Sequence, residues 1–408
     1  MRVRPLGGNR AGEVRIGRFL RNARVTPEEM FATARAHTAE RVRGRQVVVP
    51  QDTTSLRDDG KDTGHYLHPA IALDAMDGAL LGLVHAEFLR REGRQAIHRN
   101  KRAPAEKESR RWVTAMEKSA ELVEAGATQV TMVGDCESDI YEVFATRPLG
   151  TEVLARCQHD RLLTNGDYLF ASTDNQPELG RQTIALPSAP GRPAREAILA
   201  LRSCTVRIKR PKRHLAAVTA KLPRGVDLRF VEAYEVDSPN GVMPIHWRLL
   251  TTHPVSTFAE AKQITGFYRE RWSIEQLFRV LKTKGFDIEA VRIEDTEPFE
   301  KLAAAILIAA VQVQQMVRDR DGAAERPLRE VFDPADQPAL EAINSTLEGK
   351  TERQKNPHRP GSLAFATWVC ARLGGWTGYY GKPGPVVILQ GYLSLKAMLR
   401  GCRIGRVV

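Results

Sequence analysis

Five short apolar runs between residues 46 and 156, three in immediate succession and two alternating with helical stretches, restrict this chain to a mixed α/β sheet with helices on its faces. The first, QVVVP at Gln46–Pro50, runs into Asp52. Two more, over residues 66–73 and 80–88, follow behind Gly and Asp turns, and together the three predict a meander. An Arg-laden loop (Arg90, Arg91, Arg94, Arg99, Lys101, Arg102) leads to a helix over residues 106–124, stopped at Ala125-Gly126. A strand at residues 129–133 ends on Gly134-Asp135, a short helix covers residues 138–145, and a fifth strand covers residues 152–156.

Residues 1–45 are basic, with helical spacing from Pro27 through Val42, and read as a lead-in to a first sheet portion over residues 46–157. Residues 158–241 change texture: segments such as SAPGRPAR and TVRIKRPKR read as an inserted β-rich module of short strands. The sheet resumes with PIHWRLLTT at residues 244–252, within a second portion over residues 242–300, and residues 258–284 read as one long helix. Residues 301–408 are helical apart from a Pro- and charge-rich break over residues 326–360. Ser362 is placed to cap the helix SLAFATWVCARL and Gly374-Gly375 to stop it.

Lys and Arg number 61 against 49 Asp and Glu, and the net charge of +12 favours an anionic partner such as nucleic acid. Five scattered cysteines (Cys136, Cys157, Cys204, Cys370, Cys402) lack paired ligand spacing, so neither a disulfide framework nor a zinc site is indicated. The opening MRVRPLGGNR has no apolar stretch of the signal-peptide kind. The most apolar run, residues 302–311, falls well short of the roughly 20 residues of a membrane span. A reduced, cytoplasmic protein with no membrane partner is expected.

Chemistry gathers on the long helix. Tyr268, Arg271, Glu275 and Lys282 are separated by two, three and six residues. At roughly 100° and 1.5 Å per residue they fall within about 60° of arc along a stripe about 21 Å long. Phe267, Ile274, Leu277, Phe278 and Leu281 occupy the adjoining arc, so the helix presses an apolar side into a core and displays the polar stripe at its edge. Such a stripe suits a polyanion beside a metal ion; an Arg271–Glu275 pair on a solvated face is the plainer alternative. Asp52 directly follows the first strand and Asp135 the fourth. If those strands are neighbours, the two acids meet, and with Glu275 they form a set of hard oxygen ligands suited to two magnesium or manganese ions. Taken singly, Asp52 could close an Asx-turn and Asp135 could cap the helix after it. Glu137 and Asp139 read as surface groups or as groups one step behind the carboxylates.

The Tyr268, Arg271, Glu275, Lys282 spacing resembles the tyrosine-arginine-glutamate-lysine signature of DDE transposases of the insertion-sequence-four group, the Tn-five-like cut-and-paste enzymes. DTTSL at residues 52–56, GDCESDIYE at 134–142, EKESRRW at 106–112, PIHWRLLTT and ARLGGWTGY at 371–379 also match, in order, over nearly the whole chain. The resemblance implies an RNase-H-like sheet interrupted by a β-rich insertion, with a helical C-terminal dimerisation region. It makes Asp52, Asp135 and Glu275 the catalytic triad on two Mg²⁺ (or Mn²⁺) ions, and sets Tyr268, Arg271 and Lys282 on DNA phosphates. It puts Trp247 where an indole stacks on a flipped base, although a core strand position is the plainer reading. It makes Arg156 a DNA-contacting arginine, and Arg207, Lys209, Arg210, Lys212 and Arg213 a phosphate-contacting rim or a solvated strand edge. The implied partners are double-stranded DNA, as transposon ends and target, and a second copy of the chain. The implied setting is bacterial and nucleoid-associated. The implied reaction runs through 3′-hydroxyl attack and a hairpin to strand transfer. Only 51 residues precede Asp52, so residues 1–45 are expected to be a shortened DNA-binding region. A catalytically idle, dimerising inhibitor of a full-length transposase is the rival expectation.

Overall fold

One ten-stranded mixed sheet organises the computed structural model, which describes residues 9–60, 63–92, 108–188, 193–211, 222–282 and 285–404. The strands are β1 Gln46–Pro50, β2 Thr54–Gly60, β3 Thr63–Asp74, β4 Leu80–Glu92, β5 Gln129–Gly134, β6 Thr151–Arg156, β7 Gly180–Leu186, β8 Arg195–Lys209, β9 Gly225–Val236 and β10 His246–Thr251. They run β2-β3-β1-β5-β6-β10-β9-β8-β7, with β4 also paired to β3. β1 lies antiparallel to β3 and parallel to β5, and β6 continues parallel to β5. This arrangement is consistent with an RNase-H-like fold.

Strand alternation divides the apolar residues between two cores, one per face. Along β1, Val48 enters one core while Val47 and Val49 enter the other. Helices cover both faces. Among the described residues the α-helices are α1 Arg10–Arg21, α2 Pro27–Arg41, α3 Arg110–Glu124, α4 Tyr141–Ala145, α5 Phe258–Arg269, α6 Trp272–Leu281, α7 Thr296–Asp319, α8 Gln337–Leu347, α9 Leu363–Leu373 and α10 Pro385–Ile404. Trp112 and Met116 of α3, with Tyr141 and Phe144 of α4, fill the Val47 side. Ile264, Ile274, Leu277 and Leu307, from α5 to α7, fill the Val48 side. By length and composition α7 could cross a membrane, yet 72% of its most apolar window is buried inside the protein. It packs against β4, α1, α2, α6, α9 and α10 and is the central core helix of that face.

Several expectations change. The meander has a further strand, β2, whose TSLRDDG sequence hides it because two register shifts against β3 break the alternation. Residues 158–241 form long rather than short strands. These join the main sheet: β9 pairs with β10 from Thr251↔Arg229 to His246↔Tyr234. The helix expected over residues 138–145 is a 3₁₀ turn at Cys136–Ser138 followed by α4. The break expected over residues 326–360 holds α8.

The long helix over residues 258–284 is also two helices. α5 ends at Glu270, whose carboxylate accepts from Ser273 Oγ (3.0 Å) and from Arg318 Nη2 of α7 (3.1 Å). Arg318 also donates to the Ser273 hydroxyl, so a clip from another helix holds the joint. Ser362 does accept from the Phe365 N–H (3.1 Å), and Gly375 ends α9 with φ +90°. All five cysteines are free.

Candidate active site

β1 and β5 run parallel in register from Gln46↔Gln129 to Pro50↔Val133, and the Gln51 N–H donates to the Val133 carbonyl (3.1 Å). Asp52 and Asp135 therefore leave adjacent strands at the same edge, the carboxyl ends where open α/β sheets place their ligands. Gly134 makes the second exit tight: a Cβ there would stand 2.3 Å from Ser138 Oγ and 3.2 Å from the Trp112 ring.

Asp52 Oδ1 accepts from the Thr53 N–H (2.7 Å), and Asp135 Oδ1 accepts from the Glu137 N–H (2.8 Å), capping the 3₁₀ turn. Each aspartate thus does local work and keeps a second oxygen. Asp52 Oδ2 lies 3.5 Å from Arg271 Nη1, whose Nη2 lies 2.8 Å from Glu275 Oε1. Burial raises the Asp52 carboxyl to about 6; the Asp135 charge adds to this, the Thr53 N–H and Arg271 oppose it, and Glu275 adds again. Asp52 therefore lies near enough to Asp135 and to Glu275 to feel both charges. Burial works against the Arg271 charge, yet Tyr268, Glu275 and Asp52 hold its guanidinium above the ordinary value.

Among the described residues no group of three or more His, Cys, Asp or Glu side chains closes tightly enough to hold a metal ion. Arg271 stands between Asp52 and Glu275 as their counter-charge. The donor chemistry, all carboxylate oxygen, fits a hard divalent cation at Asp52, Asp135 and Glu275.

The remaining candidates gather around this point in part. Tyr268 is 4% exposed, and its ring meets Trp247 of β10 edge to face at 5.5 Å. Burial raises its hydroxyl, against the pull of Arg271 and Arg156. Trp247 is half-buried against the core. Lys282 reaches Ser55 Oγ (3.4 Å) and Glu289 (2.9 Å), so two members of the stripe, Arg271 and Lys282, meet the DTTSL segment. Arg156 is exposed at the end of β6, with Nη2 3.4 Å from the His246 carbonyl. Arg207 is exposed and paired with Asp227, and Lys209 is exposed on the same strand, away from the carboxylates. Lys212 and Arg213 lie outside the described residues, as do Arg94, Arg99, Lys101, Arg102 and the first two residues of EKESRRW. Asp139 is not a surface group: its side chain is fully buried, bound to Arg161 (2.7 Å) and the Gln158 N–H (3.0 Å).

Sequence reasoning missed the support beneath the Asp52 loop. Arg111 of α3 donates from Nε to Thr53 Oγ1 (2.8 Å) and pairs with Glu137 (2.6 Å). His68 of β3 lies between Thr53 Oγ1 (2.9 Å) and Gln51 Oε1 (3.0 Å), against the edge of Trp112. The Arg-Arg-Trp string was the available signal.

A model of the transposase DDE domain matches residues 76–312, a span that includes Asp135 and Glu275 and begins beyond Asp52. The match covers more than half of the sequence, and its span carries the sheet from β4 to β10 and the stripe-bearing helices α5 and α6, so the chain belongs to the DDE transposase family.

Proposed function

We propose that this DDE transposase is of the insertion-sequence-four kind. In this reading it cuts at transposon ends through a hairpin intermediate and joins them to target DNA, with Asp52, Asp135 and Glu275 as its catalytic acids. The observation that carries the reading is the exit of Asp52 and Asp135 from neighbouring parallel strands, with Glu275 near enough to raise the Asp52 carboxyl further. The three carboxylates would hold two Mg²⁺ or Mn²⁺ ions, which activate the attacking oxygen and stabilise the leaving one when bound.

The chain's other residues would orient the DNA. Arg271 and Lys282, at the two ends of α6, present cations toward the Asp52 loop, where they would hold scissile phosphates, and positioning of this sort supplies much of phosphoryl-transfer catalysis. Tyr268 would contact a phosphate from beneath, and its edge contact orients Trp247 to stack on an extruded base. Arg156, exposed beside them, would take a neighbouring phosphate. Val386, Leu393 and Met398 are exposed on α10, which favours the C-terminal helices as a dimer contact.

The test incubates the protein with Mg²⁺ and its element's end DNA, beside Asp135→Ala and Glu275→Ala. Hairpin product from the parent, reduced to background in both variants, is expected. Equal product from parent and variants would defeat the assignment; nicking without hairpins would leave a nuclease and defeat the group assignment.

A further inference from the structure

We propose that Arg111 is a positioning residue that fixes the separation of the Asp52 and Asp135 carboxylates, an inference that rests on the reading of those two acids given above. The geometry is specific. Arg111 is 7% exposed, and each of its three guanidinium nitrogens is engaged: Nε by Thr53 Oγ1 (2.8 Å), Nη2 by Glu137 Oε2 (2.6 Å) and Nη1 by the Glu108 carbonyl (2.7 Å). Thr53 directly follows Asp52, and Glu137 comes two residues after Asp135. One planar cation therefore ties the loop after β1 to the loop after β5. A guanidinium suits this task because its donors have a fixed spread, whereas an ammonium offers one rotatable point.

The network has a single consistent direction. The Gln51 side-chain oxygen can only accept, so His68 Nε2 carries the proton and Nδ1 accepts from the Thr53 hydroxyl; the other side of that hydroxyl accepts from Arg111 Nε–H. Burial keeps His68 neutral, as this arrangement requires. Thr53 is thus held from both sides, and its own N–H holds Asp52 Oδ1. The Arg111 charge is answered by Glu137 and Glu108, so its influence on the aspartates passes through the loops. It reaches them from α3, on the face of the sheet opposite α6 and Glu275.

Groups that orient metal ligands commonly cost ~10–100-fold in metal affinity when removed. The experiment titrates Mn²⁺ calorimetrically into the full chain without DNA, for the parent, Arg111→Gln, Glu137→Ala and Asp135→Ala. Arg111→Gln is expected to bind Mn²⁺ ~10-fold more weakly or worse, with a thermal midpoint near the parent's, and saturating Mn²⁺ is expected to restore its cleavage but not that of Asp135→Ala. Parent-like Mn²⁺ affinity in Arg111→Gln, while Asp135→Ala loses it, overturns the proposal and leaves the carboxylate reading standing. Should Arg111→Gln fail to fold, Glu137→Ala decides: its side chain is 62% exposed, and it opens the same tie from the other end. Weakened Mn²⁺ binding there supports the proposal, and unchanged binding overturns it. Equal Mn²⁺ binding by parent and Asp135→Ala removes the carboxylate reading and takes the proposal with it.

Discussion

Asp52 sits in a place that resists its own ionisation. Its carboxyl rises from 3.8 to about 6, first through burial and then through Asp135, so between those values the folded protein holds a proton that the unfolded chain has released. The contribution of Asp52 to stability is therefore fully present below pH 4 and is lost as pH rises through about 6. In chelator, Asp52→Asn is expected to be more stable than the parent by ~1–2 kcal/mol at pH 7. The advantage should vanish at pH 4; thermal melts at the two pH values check it, and a variant less stable than the parent at pH 7 would contradict it. The placement of Asp52 and Asp135 was legible in sequence because each ends a strand, and parallel adjacency does the rest. Arg111, Thr53 and Glu137 were not legible as a unit. Their hydrogen bonds join residues 58 and 26 positions apart and leave no periodic trace.

At the scale of elements, apolar runs and their end signals found α2, β5, β6, β10 and α9 to within about two residues, because each is bounded by turn or capping residues the sequence displays. They could not show the joint between α5 and α6, since no Pro or Gly stands at Glu270 or Arg271 and the break is held by Arg318 from another helix. A tighter constraint operates between α9 and α10. A Cβ on Gly391 would lie 1.6 Å from the Cys370 carbonyl oxygen, and one on Gly374 would lie 2.0 Å from that of Val387. The helices cross in backbone contact. Gly391→Ala must push them apart, and a loss of ~2 kcal/mol or more is expected from overpacking. The urea midpoint should fall accordingly; an unchanged midpoint would show that α10 can shift without cost.

For the whole molecule, the order of elements gave a mixed α/β sheet and the charge favoured an anionic partner, while the extent of the sheet stayed hidden. Pro, Gly and Arg marked residues 158–241 as a β-rich insertion of short strands; the strands are long, and the pairing of β9 with β10 continues the main sheet through them. Replacing residues 158–241 by a short linker is expected to uncover the β10 edge and yield aggregated protein. A soluble, folded product by size-exclusion chromatography would show that the segment is separable after all. The position of α7 has a bearing on biosynthesis. It is packed by α1 and α2, made before it, and by α9 and α10, made after it. A ribosome that stops between them releases a polypeptide whose longest apolar helix lacks the later helices that cover one side of it, and apolar surface left bare in this way favours aggregation.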